Sequence, residues 1–422
     1  MLTAVVGINW GDEGKGRMVD LLSADYDIVC RYQGGNNAGH TVINDHGKIV
    51  LNLLPSGISR EGTVNVMGNG MVIDLEHLVH EIQSLRDKGI HIGPDNLKIS
   101  DKAVICLPWH KMQDIMEEDR LKDKKFGSTR RGIGPVYADK YMKKAIRMGD
   151  LFAPDKLPEK VADLTEWKNL TVRGYGHEPV KAEDILAWLH EFGDPIKPYI
   201  TDVSDYLYDA ATAGENIMFE AQLGALRDIE FGIYPYTSSS CTLAGYATIG
   251  AGIPGLKLDK TIGIMKAYSS CVGEGPFTVE MFGDEAEALR RAGGEYGAAT
   301  GRPRRVGAFD IPASRYGVRM HGADCIALTK MDVLSYMDKI PVCVAYDING
   351  EITEKFPVGE RLNAAKPVFE YMEGFGDISG CRKPEDLPKA ALDYVKFIEK
   401  AVGCPIKYVS VSAEREGCIE MF

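Results

Sequence analysis

The stretch LTAVVGINWGDEGKGR, residues 2–17, decides the architecture expected of this chain. Its first five residues form a short apolar run, which is typical of a buried strand. Residues 7–16 contain four glycines and a lysine, and a helical pattern begins at Met18. Strand, glycine loop and helix in this order aim backbone N–H groups and a helix N-terminus at a phosphate group. The opening stretch therefore predicts a phosphate-binding loop in an α/β protein.

This loop differs from the common G-x-x-x-x-G-K-[ST] pattern, in which the hydroxyl residue after the lysine holds Mg²⁺. Gly16 follows Lys15 here, so another side chain must hold the metal. Asp12 lies inside the loop, and a carboxylate between phosphates can serve as metal ligand, as general base, or as both. We therefore expect Mg²⁺ as the cofactor. The competing interpretation is a tight glycine turn with a solvated Asp12–Glu13 pair.

A second loop of small residues, 32–41, follows the predicted strand Asp27–Arg31. Asn37 offers both a donor and an acceptor, and His40 can donate to a transferring phosphoryl group. The alternative is that His40 is an ordinary loop histidine. Both loops follow the carboxyl ends of strands, which is where open α/β sheets bind their ligands.

Eight short β-type runs are spread along the chain, and most are almost wholly apolar. They are Leu2–Val6, Asp27–Arg31, Val64–Met67, Ala103–Leu107, Asn216–Glu220, Thr261–Ala267, Cys325–Thr329 and Pro341–Tyr346. Apolar runs are typical of parallel strands that are covered on both faces. Helical patterns lie between them, so we expect one α/β domain over residues 1–422, with a central, mostly parallel sheet and helices on both faces. Residues 110–210 are expected to form a largely helical insertion within it.

Composition narrows the class of protein. The 422 residues include 49 Lys and Arg against 61 Asp and Glu, a net charge of −12, and 45% are hydrophobic. Such a chain can bury a core, and its acidity argues against nucleic acid as a partner. We find no signal peptide and no apolar run near about 18 residues, so we expect a cytoplasmic protein without a membrane partner. The nine cysteines include no C-x-x-C pair and are expected to be free thiols.

The two glycine loops together resemble the N-terminal signatures of the adenylosuccinate synthetase family. NWGDEGKG at residues 9–16 and GGNNAGHT at residues 34–41 carry this resemblance. Further motifs in the family's order are LLPSGI (53–58), GNG (68–70), GIGP (132–135), DI (228–229), YP (234–235), TGRPRR (300–305), LTKMDVL (328–334) and PIKY (405–408). The resemblance covers nearly the whole chain, which makes it far more specific than a single glycine loop.

The resemblance implies a ligase that joins IMP to L-aspartate while GTP becomes GDP and phosphate. A base removes the N1 proton of the hypoxanthine ring and O6 attacks the γ-phosphorus, after which the 6-phosphoryl intermediate loses phosphate to the aspartate amine. By resemblance, Asp12 and His40 are catalytic, and Asp12 and the carbonyl of Gly39 bind Mg²⁺. The GTP-binding residues implied are Glu13, Gly14, Lys15, Gly16, Gly39, His40, Thr41, Lys330, Asp332, Ser410 and Ser412.

Two of the motifs also have a direct physical reading. Asp332 follows an apolar strand, and a carboxylate can accept from both N1–H and the N2 amino group of guanine, a pair of donors that adenine lacks. The arginines of the loop at 302–305 suit carboxylates and phosphates. The resemblance implies that L-aspartate is bound by Ala299, Thr300, Arg302 and Arg304, and IMP by Asp12, Asn37, Thr129, Lys143, Gln222, Leu223, Ser238 and Arg302.

Departures from the family's pattern gather where IMP is expected to bind. They are Arg130 for a glycine, Lys143 and Cys271 for arginines, Leu223 for a glutamine, and Ser238 and Ala299 for threonines. The arginine that Lys143 replaces reaches the IMP phosphate from a second subunit, and a lysine lacks its bidentate fork. One interpretation is ordinary drift, with Gln222 or a water supplying the missing contact. The other is a paralogue that acts on a different purine monophosphate or acceptor.

The leading hypothesis is therefore a GTP-dependent ligase that acts as a homodimer, with GTP, IMP and L-aspartate as its small-molecule partners. Two further classes stay open. A phosphotransferase would stop at a phosphorylated product, and a GTP-binding regulatory protein would form no product at all. The arginine loop argues against the regulatory protein, because a nucleotide sensor has no need of a carboxylate clamp.

Overall fold

The computed structural model of the chain describes residues 1–37, 39–44, 47–296 and 303–422. The helices in these residues are Lys15–Leu22 (α1), Leu75–Arg86 (α2), Pro108–Leu121 (α3), Ile133–Tyr141 (α4), Leu157–Gly174 (α5), Ala182–Gly193 (α6), Val203–Thr212 (α7), Ala247–Ala251 (α8), Gly283–Gly293 (α9), Ile311–His321 (α10), Glu360–Asn363 (α11) and Lys389–Val402 (α12). Short 3₁₀ turns connect several of them.

The strands in these residues are Leu2–Gly7 (β1), Ile28–Arg31 (β2), His40–Asn44 (β3), Gly47–Leu51 (β4), Val64–Met67 (β5), Val72–Ile73 (β6), Leu97–Ser100 (β7), Val104–Ile105 (β8), Ile200–Thr201 (β9), Ile217–Gly224 (β10), Lys260–Lys266 (β11), Ser269–Cys271 (β12), Arg305–Gly307 (β13), Phe309–Asp310 (β14), Cys325–Thr329 (β15), Lys339–Ile348 (β16), Glu351–Thr353 (β17), Ala365–Glu373 (β18), Ile406–Ser410 (β19) and Cys418–Glu420 (β20).

A ten-stranded sheet forms the centre of the molecule, in the order β20-β19-β15-β11-β1-β10-β2-β5-β7-β9. Every neighbouring pair in it is parallel except β19 and β20. Strand β1 sits near the middle, so its side chains are buried on both faces of the sheet. This arrangement confirms the predicted α/β fold with a mostly parallel central sheet.

Strand β1 shows why its sequence is apolar throughout. Ala4 and Val6 point to one face, where they pack in a cluster with residues of α7 and α8. Val5 points to the other face and packs with Met18 and Val19 of α1. Because successive side chains of a strand alternate between faces, only a continuous apolar run satisfies both layers. Helices therefore cover both faces of the sheet, as predicted.

Two predicted strands lie outside the central sheet. Val104–Ile105, within the predicted run Ala103–Leu107, pairs with β6 in a separate two-stranded sheet. The run Pro341–Tyr346 becomes part of β16, which lies in a separate four-stranded sheet with β14, β17 and β18. β16 pairs antiparallel with β17 and β18. An apolar run reports burial on both faces, but it does not say which sheet the strand joins.

Residues 108–212 hold five helices, α3 to α7, and the short strand β9. A buried polar cluster connects three of these helices, because Asp139 of α4 lies 3.0 Å from His110 of α3 and 2.7 Å from Lys168 of α5. The predominance of helix in this stretch agrees with the sequence pattern. Its status as an insertion in a single domain stays a prediction.

All nine cysteines are free thiols, as predicted, and six of them are buried. In the described part of the chain, no helix combines the length and the apolar character that crossing a bilayer requires.

Candidate active site

The predicted phosphate loops meet at one edge of the central sheet. In the parallel ladders, Gly7 of β1 lies opposite Ile264 of β11 and next to Gly224 of β10. Lys266 at the end of β11 lies opposite Thr329 at the end of β15. The segments that follow these strands therefore begin side by side, at the edge where open α/β sheets bind ligands.

The loop between β1 and α1 is built around a buried carboxylate. Glu13 accepts hydrogen bonds from the backbone N–H groups of Asn9 and Gly11 at 3.1 and 2.8 Å, and its second oxygen lies 2.7 Å from Lys15 Nζ. Gly14 caps α1 with a φ of 89°, which favours glycine. Both oxygens of Glu13 are used within the loop. Only the backbone N–H of Glu13 is therefore expected to contact a ligand.

Asp12 is the exposed carboxylate of the same loop, with 30% of its side chain accessible. It adopts a left-handed backbone conformation with a φ of 61°, although it is not a glycine. Nε of Arg304 lies 3.1 Å from Oδ2 of Asp12, an ion pair whose angle does not make a hydrogen bond. Strained backbone of this kind is concentrated at functional sites, where the surrounding structure maintains it.

His40 is held by a buried carboxylate that the sequence analysis did not single out. Nδ1 of His40 lies 2.5 Å from Oε1 of Glu220, which also accepts the Ser56 hydroxyl at 2.5 Å. Burial alone would raise the pKa of Glu220, but His40, Arg31 and Ser56 outweigh it and hold that pKa below its ordinary value. Since Nδ1 faces the ionised Glu220, Nε2 on the opposite side of the ring is turned away from it.

Close packing fixes the position of His40 as well. A Cβ added to Gly16 would lie only 2.6 Å from Cβ of His40, so the start of α1 and the His40 loop approach each other too closely for a side chain. Gly39 precedes His40 on this loop and is exposed, and Thr41 follows it on β3 with partial exposure. The two predicted phosphate loops therefore form adjoining surfaces.

The predicted guanine-binding residues also come together. Lys330 starts the 3₁₀ turn Met331–Tyr336 in a left-handed conformation, with a φ of 57°. Arg17 of α1 donates to the Ser410 hydroxyl at the end of β19. Arg17 is also close enough to Asp332 to lower the pKa of that carboxyl. Burial raises the pKa of Asp332, which Lys330 and Arg17 oppose. The Ser412 hydroxyl is buried beside Gly417.

Gln222 and Leu223 occupy the position where the sequence departs from the family. The Gln222 side chain is fully buried and donates to the carbonyl oxygens of Gly35 and Asn52 at 2.7 and 3.3 Å. It therefore supports the second glycine loop, and only its Oε1 has no partner among the described residues. Leu223 is partly exposed in a left-handed conformation, with a φ of 60°, and packs against Gly11 beside Asp12.

The remaining predicted IMP residues line more open surfaces. Asn37 accepts from the Gly35 N–H at 3.1 Å, and Ser238 is half-buried. Thr129 and Lys143 are exposed, on a loop and after α4. Asp114 of α3 anchors the Thr129 loop, because its carboxylate accepts from Ser128 Oγ at 2.6 Å and from the Gly132 N–H at 2.9 Å.

A buried arginine lies next to the position where the family has one. Nη2 of Arg227 lies 2.9 Å from Sγ of Cys271 and 2.6 Å from the carbonyl oxygen of Val272. Nη1 of Arg227 bonds the carbonyl oxygen of Tyr236, two residues before Ser238. A guanidinium is therefore present beside residue 271 although the chain carries cysteine there.

Three predicted residues, Ala299, Thr300 and Arg302, lie outside the described residues. Several polar residues in the site were missed by sequence reasoning, and they are Arg31, Ser56, Glu220, Lys266, Tyr268 and Glu295. A signal for three of them exists, because Arg31, Glu220 and Lys266 are charged residues within predicted apolar strands. A charge in such a strand must have a buried partner.

A parallel sheet with two glycine loops, a carboxylate beside an arginine and a carboxylate-held histidine defines a nucleotide-handling α/β enzyme. A family model described as adenylosuccinate synthetase matches residues 4–419. The chain belongs to the adenylosuccinate synthetase family. This membership confirms the enzyme class that the motifs predicted, a GTP-dependent carbon–nitrogen ligase.

Curated relatives and solved structures agree with this placement. An adenylosuccinate synthetase of Caldanaerobacter subterraneus subsp. tengcongensis is 44% identical over 99% of this chain and 98% of its own length. That of Ligilactobacillus salivarius is 43% identical over 98% and 96%. The fully ligated enzyme of Plasmodium falciparum superposes with a TM-score of 0.92 at 36% identity, covering 100% of this chain and 99% of that one.

A more distant structure shares the fold alone. The succinoaminodeoxyadenylate synthetase of cyanophage S-2L, bound to dGMP and dATP, has a TM-score of 0.61 at 18% identity, and the match covers 100% of this chain and 95% of that one. The same architecture is therefore used by an enzyme with a different nucleotide pair, and residues of the site have to decide the substrate.

Proposed function

We propose that this chain joins IMP and L-aspartate at the expense of GTP, with Asp12 as the general base and His40 as the donor to the transferring phosphoryl group. The observation that carries this proposal is the position of Asp12. It is a partly exposed carboxylate in the glycine loop, next to the N-terminus of α1 and beside Arg304. A base is therefore available at the place where a helix N-terminus receives phosphate.

In the first step, Asp12 accepts the N1 proton of the hypoxanthine ring. The electrons of that N–H bond move to O6, which forms a bond to the γ-phosphorus while the bond from that phosphorus to the β-phosphate oxygen breaks, and GDP leaves. His40 donates from Nε2 to the oxygens that gain charge. Glu220 supports this role because it fixes Nδ1 at 2.5 Å and so maintains the ring orientation.

In the second step, the amine of L-aspartate bonds to C6, the C6–O6 bond breaks, and phosphate leaves with the former O6. The extra proton of the amine passes to the departing phosphate. Arg304 provides a guanidinium at the site of this step, since it lies beside Asp12 and is only partly exposed. Arg302, Thr300 and Ala299 are proposed to complete the L-aspartate site.

GTP is proposed to lie with its phosphates on Gly14, Lys15, Gly16 and Thr41 and its base near Asp332. The proximity of Asp332, Lys330, Arg17 and Ser410 supports this placement. An ionised carboxylate selects guanine over adenine because it needs two N–H donors on one edge of the base.

The residues present fit a magnesium ion. Asp12 offers carboxylate oxygens and Gly39 offers a carbonyl oxygen, and Mg²⁺ is commonly held by one or two carboxylates with substrate phosphates completing its shell. The described residues contain no group of three or more His, Cys, Asp or Glu side chains that would form a complete protein cage. When bound, the ion would neutralise charge on the transferring phosphate.

A homodimer is proposed because of the surface around Lys143. Tyr141 and Met142, immediately before it, are large hydrophobic side chains with 75% and 58% of their area exposed. Apolar side chains at this exposure are typical of a surface that a partner covers. Lys143 would then reach the IMP phosphate of the neighbouring subunit.

The role of Asp12 is tested by Asp12→Asn, which keeps the shape of the side chain and removes the base. We expect adenylosuccinate formation to fall by about a thousandfold, while GTP affinity measured by calorimetry changes little. Asp25→Asn, an exposed carboxylate after α1, is the matched control and is expected to keep wild-type activity. Wild-type turnover by Asp12→Asn would refute the proposed mechanism.

One observation favours a second candidate, a paralogue acting on a different purine monophosphate. Leu223 places an apolar side chain beside the Asp12 loop, where the family's pattern has a polar one. The purified protein should be incubated with GTP, Mg²⁺, L-aspartate and a panel of purine monophosphates, and the products identified by mass spectrometry. Adenylosuccinate from IMP supports the first proposal; no product from IMP and a product from another nucleotide supports the second.

A further inference from the structure

A buried carboxylate, Glu295, connects two parts of the site that have separate predicted roles, the guanine motif and the arginine loop. Its side chain is fully buried just after α9. Oε1 lies 2.7 Å from Lys266 Nζ, 2.5 Å from the Tyr268 hydroxyl and 3.3 Å from Lys330 Nζ, while Oε2 accepts from Arg304 Nη1 at 2.9 Å. We refer to these five residues as the Glu295 cluster.

Each cation of the cluster comes from a different strand end or loop. Lys266 ends β11, Lys330 follows β15 in the guanine motif, and Arg304 precedes β13 in the arginine loop. Arg304 also lies 3.1 Å from Asp12, so a single guanidinium is shared between Glu295 and the proposed base. The cluster is therefore continuous with the catalytic carboxylate.

The backbone of Glu295 also contacts Arg304. The backbone N–H of Arg304 donates to the carbonyl oxygen of Glu295 at 2.9 Å. Tyr296 and Pro303 form a β-bridge one residue further along. The backbone and the side chain of Glu295 thus both hold Arg304.

The charges explain why this carboxylate has to be ionised. Asp12 and Glu295 face Lys266, Lys330 and Arg304, so the group carries one more positive charge than negative. Burial would raise the pKa of Glu295, but Lys266 and Lys330 outweigh it and hold that pKa far below its ordinary range. A neutral residue here would leave the buried Lys266 ammonium without its carboxylate partner, which is costly, and would remove a charge partner from the partly exposed Lys330 and Arg304.

We infer that Glu295 is a positioning residue for the ligation step, which holds Arg304 and Lys330 in a fixed relation to Asp12. This inference rests on the proposed function and deepens it. Glu295 contacts no substrate itself in this scheme. It acts through Arg304 on the L-aspartate side and through Lys330 on the guanine side, so the two substrate sites share one anchor.

The test uses the full-length enzyme with Glu295→Gln and with Tyr268→Phe. Tyr268→Phe removes one hydrogen bond to Glu295 and keeps every charge, so it perturbs the carboxylate with little risk to folding. Glu285→Gln is the matched control. Glu285 is an exposed carboxylate on the same helix, α9, and lies outside the cluster. Thermal unfolding and circular dichroism establish which variants are folded.

For Glu295→Gln we expect the KM for L-aspartate to rise and kcat to fall by about tenfold each, as the loss of a charge-assisted hydrogen bond predicts. The KM for IMP should stay within about twofold, because no residue of the Glu295 cluster is assigned to IMP. Tyr268→Phe should shift the KM for L-aspartate in the same direction by about threefold. The double variant should lose less than the product of the two single effects.

A purely structural role gives a different result, since a smaller folded fraction lowers kcat and leaves both KM values unchanged. An unchanged KM for L-aspartate in folded Glu295→Gln would overturn the inference. If Glu295→Gln does not fold, an unchanged KM for L-aspartate in Tyr268→Phe overturns it instead. Absence of adenylosuccinate from the wild-type enzyme is a separate outcome, and it would refute the proposed function.

Discussion

Asp12, Glu13 and Glu220 are three carboxylates of the site with three different surroundings. Asp12 is partly exposed and shares Arg304 with Glu295. Glu13 is buried and uses both oxygens to close its own loop. Glu220 is buried against His40 and Ser56. Because the surroundings of a carboxylate set its role, only Asp12 remains free to take a proton from a substrate.

The pairing of Glu220 with His40 leads to a prediction at the scale of one residue. Glu220→Gln keeps the shape of the side chain but loses the charge that holds Nδ1, so the ring is no longer fixed in one orientation. We expect kcat to fall by about a hundredfold with nearly unchanged KM values, measured by steady-state kinetics.

Ser56→Ala provides the comparison, because it removes the hydroxyl that donates to Glu220 and leaves the carboxylate in place. Its loss of kcat should be much smaller than that of Glu220→Gln. Equal losses in the two variants would contradict the idea that the charge of Glu220 orients His40.

Sequence reasoning identified the residues of the glycine loops but not the carboxylates that support them. Asp12 and His40 lie in short local patterns whose chemistry can be read directly. Glu220 and Glu295 act through partners such as His40 and Arg304, and the pairing of Glu220 with His40 joins residues far apart in the chain. The left-handed conformation of Leu223 is likewise set by its neighbours, since nothing in a leucine favours a φ of 60°.

Hydrogen bonds at both ends of helix α10 fix its position next to the site. Asp310 caps its first turn by accepting from the Ala313 N–H at 3.1 Å. His321, its last residue, accepts from the Ala244 N–H at Nδ1 and donates from Nε2 to the carbonyl oxygen of Gly7, the residue that ends β1. The helix therefore fixes the strand end from which the phosphate loop begins.

His321 predicts a dependence of stability on pH. Burial lowers its pKa to about 4, since the interior disfavours the charged imidazolium. The unfolded chain takes up a proton below about pH 6.5 and the native state does not, so stability is present above that pH and is lost as pH falls towards 4. Between pH 7.5 and 5.5 this histidine should cost about 1 kcal/mol of unfolding free energy.

Urea unfolding at the two pH values measures this cost, with His321→Gln as the reference. The variant lacks the titrating ring, so its stability should fall less between pH 7.5 and 5.5 than that of the wild type. Parallel changes in both proteins would assign the pH dependence to other groups. Asp310 has the opposite effect on stability. Burial raises its pKa to about 7, so its contribution to the unfolding free energy increases as the pH falls from 7.5 to 5.5.

At the scale of elements, the runs Val64–Met67 and Cys325–Thr329 match β5 and β15 to the residue, and β1 extends its run by one. Short strands such as β7 and β9 were not predicted, because a few residues of mixed polarity carry no clear period. The antiparallel sheet around β16 was missed for a related reason. Its antiparallel partners, β17 and β18, contain no buried residue, so their sequences lack the apolar pattern of a core strand.

The proposed dimer gives a prediction for the whole molecule. If Lys143 completes the site of its neighbour, Asp12→Ala and Lys143→Ala subunits are each inactive as pure dimers. A mixed dimer then contains one site with both residues intact. Mixing equal amounts under conditions that allow exchange should restore about a quarter of the wild-type activity.

Analytical ultracentrifugation of the wild type and both variants establishes the oligomeric state that this experiment requires. Restored activity would show that two subunits build one site. Mixtures that stay inactive, although exchange between labelled subunits is observed, would place Lys143 outside the neighbouring site.

The order of strands in the central sheet has a consequence for the synthesis of the chain. Leu2 of β1 pairs with Ile217 and Thr3 pairs with Lys260, so the first strand leaves the ribosome long before either neighbour exists. Ser410 on the guanine side is synthesised later still, as the last residue of β19. A nascent chain therefore carries its glycine loop through most of translation without a closed sheet to hold it. Such exposed strand edges are prone to aggregation, and we expect this chain to depend on protection by chaperones until the last strands are added.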